Sequence, residues 1–127
     1  MGSMGADFAD LDNDLRCDLF VTEMLPETQE RQKTKTIFES WDKQQLAKRQ
    51  GYFNQFSRNT LQRNLGNGNF MELGRKSNVS ATEWSWSALI FDMDNDGLKD
   101  IFISNGIYKD LLDRDYLTYE ANEETIK

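Results

Sequence analysis

Two nonapeptides hold the residues whose types and spacing could do chemistry. "DLDNDLRCD" (residues 10–18) and "DMDNDGLKD" (residues 92–100) align without a gap at an offset of 82 positions. Asp10, Asp12, Asp14 and Asp18 fall on Asp92, Asp94, Asp96 and Asp100, and Asn13 falls on Asn95. Each stretch then runs into an apolar triplet, Leu19 to Val21 or Ile101 to Ile103. Crowded carboxylates repel one another and resist burial, so the pattern makes sense around a cation. An Asp/Asn-rich surface turn would explain one copy. Two in-register copies argue for a repeat with a shared purpose.

The spacing points to calcium. Carboxylates at loop positions 1, 3 and 5 converge when the backbone curls, a carbonyl at position 7 (Arg16 or Leu98) adds an oxygen, and a carboxylate at position 9 completes the shell. The expected ligands are therefore Asp10, Asp12, Asp14, Arg16 (carbonyl) and Asp18, and Asp92, Asp94, Asp96, Leu98 (carbonyl) and Asp100, for up to two Ca²⁺ ions. An all-oxygen, carboxylate-rich set selects Ca²⁺ over zinc or copper, and over the stricter octahedron of Mg²⁺. An EF-hand is excluded, because its bidentate glutamate would fall on Val21 and Ile103, inside strand-like runs. The copies differ at position 6, Leu15 in one and Gly97 in the other. If that position needs a positive φ, leucine costs about 1–2 kcal/mol, and the second loop is expected to bind more tightly.

Other chemistry is closed off by composition. The 127-residue chain has no histidine and one cysteine, Cys17, so it contains no histidine triad, His-ligated zinc, Cys-His dyad or internal disulfide. Residues 31–64 carry eight Lys or Arg against Glu39 and Asp42, a local +6 that leaves −13 for the rest of a chain of net charge −7. That acidic remainder repels phosphate, so nucleic acid is not an expected partner. No apolar run approaches the roughly 18–20 residues needed to span a bilayer. The opening "MGSMGADFADLDND" has neither the basic nor the apolar region of a signal peptide.

The elements that must position the loops follow from patterning. Strands are expected at Leu19–Glu23 and Ile101–Ser104, each leaving a loop, and at Trp86–Phe91, entering the second. Asn59 to Leu73 reads as a hairpin around Gly66-Asn67-Gly68-Asn69. Residues 26–57, opening with the only proline, read as an amphipathic helical insertion with Ile37, Phe38 and Trp41 at helical spacing. Residues 108–127 favour a C-terminal helix. The organisation is thus loop 1 and its strand (1–25), the helical insertion (26–57), hairpin, strand and loop 2 (58–107), and the terminal helix (108–127). The fold class is mainly β with helical insertions. A loop-then-strand unit recurring in a β background implies stacked antiparallel blades. At roughly 40–50 residues per blade the chain holds about two, a fragment of a β-propeller.

The Dx[DN]xDGxxD loop followed by an apolar strand, with "RNTLQRNLGNGNFMELG", resembles the FG-GAP/VCBS repeats of calcium-binding β-propellers. More narrowly, "SMGADFADLDND", "DLFVTEMLPE", "SATEWSWSALIFDMDNDGLKDIFISNG" and "EANEETIK" resemble the bacterial VCBS-repeat proteins related to cartilage acidic protein (ASPIC/UnbV). That resemblance implies a seven-bladed propeller in an exported or surface-anchored protein, with calcium in the loops; Leu15 departs from its pattern. The expected function is a non-catalytic, calcium-binding module for adhesion or recognition, extracellular, periplasmic or on the outer cell surface, with a protein or glycan partner. The alternative is the scaffold of a secreted carbohydrate-active enzyme. Trp84 and Trp86 are expected to pack rather than stack a sugar, Cys17 to face solvent, Asn78 to be a sequon of eukaryotic use only, and Asp110, Asp113 and Asp115 to lie on a solvated helix face.

Overall fold

The structure, a computed structural model, describes residues 2–35, 41–107 and Tyr119. Apart from Tyr119, the expected helix at 108–127 with its acidic residues, and Ile37 and Phe38, lie outside the described residues. Among the described residues seven strands and two helices follow in the order β1 (Ala6–Ala9), β2 (Asp18–Val21), β3 (Met24–Leu25), α1 (Gln29–Lys35), α2 (Trp41–Arg49), β4 (Thr60–Gly66), β5 (Asn69–Glu72), β6 (Glu83–Phe91) and β7 (Asp100–Asn105). They build a four-stranded sheet, β1-β2-β4-β5, and a three-stranded sheet, β3-β6-β7, antiparallel throughout.

The sequence repeat is also a structural one. The offset of 82 carries β1 onto β6 and β2 onto β7, and each pair is joined through one acidic loop. The β4–β5 hairpin turns at Asn67 (φ 54°) and Gly68 (φ 76°). Two consecutive positive φ values match the twist of the flanking strands, which is why Asn-Gly is favoured there.

Strand alternation puts Phe20 and Leu61 on one face of the first sheet and Ala88 and Ile90 on the facing side of the second. These four form the core, with Ala9, Leu73, Ile101 and Ile103 packed against it. Polar bolts fix the sheets together. Ile90 N–H donates to Asp7 Oδ2 at 2.7 Å, and Gly5 lies so close to the second sheet that a Cβ there would come within 2.9 Å of Trp86 O. Asn59 is fully buried and acts as a hub: its Oδ1 accepts from Glu23 N–H at 2.7 Å and its Nδ2 donates to Val79 O at 2.9 Å.

Two helices, α1 and α2, fall within the expected helical insertion. α2 buries no residue, and Trp41 is exposed. Its sequence, WDKQQLAKR, offers too few apolar positions for a continuous stripe, so solvated Lys, Gln and Arg side chains dominate its surface. α1 is tethered instead by charge, through Arg31 Nε at 2.9 Å and Nη2 at 2.9 Å from the Glu83 carboxylate. Residues 50–57 are not helical.

Candidate functional site

Both acidic loops hold their shape with the same four hydrogen bonds. In loop 1, Asp10 accepts from the amides of Asp14 (3.0 Å) and Leu15 (2.8 Å), Asp18 from Leu11 (3.0 Å), and Asp14 from Arg16 (3.0 Å). In loop 2, Asp92 accepts from Asp96 (3.0 Å) and Gly97 (2.8 Å), Asp100 from Met93 (3.0 Å), and Asp96 from Leu98 (2.7 Å). Short Asp side chains capping their own backbone are what make such a loop local and sequence-encoded. Asn13 (φ 58°) and Asn95 (φ 62°) take left-handed conformations, as do Leu15 (φ 66°) and Gly97 (φ 89°). The sixth position therefore needs the positive φ that leucine adopts only at a cost.

The folded loops gather carboxylates into two triads. One ligand oxygen from each of Asp10, Asp12 and Asp18 lies within 4.8 Å of the others, and the same holds for Asp92, Asp94 and Asp100. Either triad could hold a metal ion. Each oxygen that caps an amide keeps a second lone pair, so the capping bonds and a cation are compatible. Asp14 and Asp96 stand outside these triads. Each turns one oxygen to the amide two residues on, which ties Arg16 and Leu98 to position five.

The surroundings of the two loops differ. Asp18 is buried, and its second oxygen accepts from Asn64 N–H in β4 at 2.8 Å. Arg63, also on β4, pairs with Asp12 and comes within 3.9 Å of Asp14; Arg16 pairs with Asp14 and donates from Nε to Asn64 O at 3.0 Å. Loop 1 thus carries two cations of its own. Loop 2 has no ion pair among the described residues, and Asp94 and Asp100 are exposed. The tips of the loops are neighbours, with Asn13 Nδ2 donating to Gly97 O at 3.3 Å.

Sequence reasoning did not single out Arg16 and Arg63 as loop cations, Asn64 as an anchor or Asn59 as a hub. Arg63 lies on a strand remote in sequence from the loop, and no local pattern marks it. Cys17 is exposed. Trp84 is half-buried with its Nε1 enclosed, and Trp86 lies over Gly106, where a Cβ would come within 2.5 Å of the ring. No helix of the described residues is long and apolar enough to cross a membrane.

Residues 51–103 match an FG-GAP-like repeat. The match runs from the segment before β4 through β5 and β6 into β7, and so takes in two strands of each sheet and the whole of loop 2. With two antiparallel sheets, few helices and this repeat, the architecture is that of part of a β-propeller. No curated protein and no solved structure matches the chain.

Proposed function

We propose that the chain is a calcium-stabilised, non-catalytic β-repeat module of an exported adhesion or recognition protein, with Ca²⁺ held in its two acidic loops. The observation that carries this reading is the duplicated loop: the same four capping bonds and the same carboxylate triad occur twice. Asp10, Asp12 and Asp18, and Asp92, Asp94 and Asp100, supply the first ligands; Asp14 and Asp96 and the carbonyls of Arg16 and Leu98 complete the shells. The cation offsets repulsion among the carboxylates and pins each loop to the strand that follows it. At a dissociation constant near ~10⁻⁴ M in millimolar calcium, each site adds roughly 1.5–2 kcal/mol of stability. Cytosolic calcium is far too scarce to fill such sites, which supports an extracellular, periplasmic or surface location. The resemblance to the ASPIC/UnbV-related proteins would imply the same location.

Thermal melts in EGTA and with Ca²⁺ or Mg²⁺ titrated in test the reading. Calcium should raise Tm where magnesium does not, and Asp92→Asn should remove more of that rise than Asp10→Asn. Two features make the second loop the stronger site: glycine at its strained position and, among the described residues, no arginine competing for its carboxylates. A Tm indifferent to calcium removes the metal from this account.

A further inference from the structure

The third loop position is held differently in the two repeats. In loop 2, Asp94 Oδ1 accepts from the amide of Asp96 at 3.2 Å. In loop 1 the corresponding Asp12 lacks that bond. Among the described residues its partner is the guanidinium of Arg63, which reaches over from β4 and also comes within 3.9 Å of Asp14. The other two members of the triad are committed to backbone. Both oxygens of Asp10 accept loop amides, and those of Asp18 accept from Leu11 and Asn64. Asp12 is thus the triad carboxylate with a partner it can exchange, and that partner is a cation.

We propose that Arg63 is a tethered competitor for calcium at loop 1, holding Asp12 when calcium is scarce and yielding it when calcium is abundant. This rests on the reading of the loops as calcium sites and adds how one of them is regulated. The two cations exclude each other, because an ion set among Asp10, Asp12 and Asp18 meets the positive charge of a guanidinium on the same carboxylate. The arginine is always at hand, attached to the neighbouring strand, whereas the ion must come from solution. Calcium prevails only when its concentration outweighs that advantage. The side chain of Arg63 is 44% exposed, so it has water to move into when displaced. Its departure does not free the loop from β4, since Asn64 N–H still donates to Asp18 at 2.8 Å and Arg16 Nε to Asn64 O at 3.0 Å. Loop 1 therefore keeps its shape in both states, with a guanidinium or a metal ion offsetting its charge. Loop 2 has no ion pair of this kind among the described residues and fills first. Loop 1 then responds over a range of calcium in which loop 2 is already saturated.

The test is calorimetric titration of Ca²⁺ into the full chain. Wild type should take up one ion tightly and a second weakly, the weak step being the one lost in Asp12→Asn. Arg63→Met should tighten the weak step by roughly five-fold, the weight of an exposed ion pair at the strong end of its range, and leave the tight step alone. Arg63→Lys, which keeps the charge beside Asp12, should stay close to wild type. A cooperative melt in EGTA shows that each variant is folded. There Arg63→Met should melt below wild type, so that one substitution weakens the metal-free chain and strengthens its weak site; a merely structural arginine gives no such opposition of sign. A weak step that is unchanged or weaker in Arg63→Met, or tightened as much in Arg63→Lys, overturns the proposal while the calcium reading stands. A chain that takes up no calcium overturns both.

Discussion

Phe20 and Phe102 hold the same place in two copies of one repeat, yet one is enclosed and the other stands half in water. Their loops divide in the same way. Asp18 is buried and anchored to Asn64 on β4, whereas Asp100 keeps only the bond from Met93 within its own loop among the described residues. The first β-strand pair has β4 and β5 beside it and the second sheet over it; the second pair has β3 at one end of β6. Local sequence thus shapes a loop, and neighbouring strands decide how firmly it is held.

The largest contrast is in the core. Phe20→Ala should cost about 3–5 kcal/mol, because the void lies between two sheets that cannot both relax into it. Phe102→Ala should cost well under half as much. Urea denaturation in EGTA measures both. Equal costs would mean that the two repeats are equally enclosed and that the exposure of Phe102 has no energetic meaning.

Next comes the ninth loop position. Asp18→Ala strands the amides of Leu11 and Asn64 in a largely enclosed site, an expected loss of about 2–3 kcal/mol. Asp100→Ala frees one amide that water can reach, so in EGTA its effect should be small. Adding calcium should reverse part of this order: Asp100→Ala then forfeits the metal's contribution, which Asp18→Ala forfeits only in so far as loop 1 is filled. Urea midpoints for the two variants in EGTA and in calcium provide the comparison, and parallel losses in both media would break it.

What the sequence made legible was the local part. The loops, the strands leaving them and the Asn67-Gly68 hairpin are encoded within a few residues each, by side chains that cap their own backbone or tolerate positive φ. The charge balance of loop 1 was not legible, since Arg63 reaches Asp12 only because β4 pairs with β2. Asn59 was equally silent: its partners Glu23 and Val79 are distant in the chain and meet only once both sheets have formed. The helical insertion was legible in part: α1 and α2 fall within it, whereas α2 buries no residue and Ile37 and Phe38 lie outside the described residues. The Leu15 departure, by contrast, could be weighed from sequence alone, because backbone conformation at that position depends on the loop and not on its neighbours.

That position sharpens the comparison further. Gly97→Leu should cost about 1–2 kcal/mol in backbone strain alone, for an added Cβ meets no atom within 4 Å. The reverse change, Leu15→Gly, relieves the same strain but loses about 0.5–1 kcal/mol to the greater freedom of glycine when unfolded. Its net gain should therefore be the smaller of the two. Calorimetry in EGTA reads both signs, and calcium titration should show Leu15→Gly drawing loop 1 toward the affinity of loop 2. A loss of stability in Leu15→Gly would show that the leucine side chain, exposed as it is, contributes more than its backbone costs.

The smallest expected effect lies on the first sheet and concerns acid. The Glu72 carboxyl is held below the usual glutamate range, first by the hydrogen bond from Arg58 Nη2 at 3.0 Å, with the amides of Gly74 and Leu61 adding to it and partial burial opposing it. A carboxyl whose pKa is lower folded than unfolded binds protons better in the unfolded chain. Its stabilisation is therefore complete above the unfolded value, about pH 4.3, and disappears as pH falls through the folded value beneath it. Glu72→Gln should leave the pH dependence of stability unchanged near neutrality and flatten its fall on the acid side. The comparison is made in EGTA between Glu72→Gln and wild type, which differ at this side chain alone. Arg58 then supplies the control: with its guanidinium removed in Arg58→Met, Glu72 loses its main reason for a low pKa and the acid limb should flatten in the same way. An acid limb equally steep in all three proteins would show that the Glu72–Arg58 pair at the β4–β5 edge contributes nothing to the acid sensitivity of the fold.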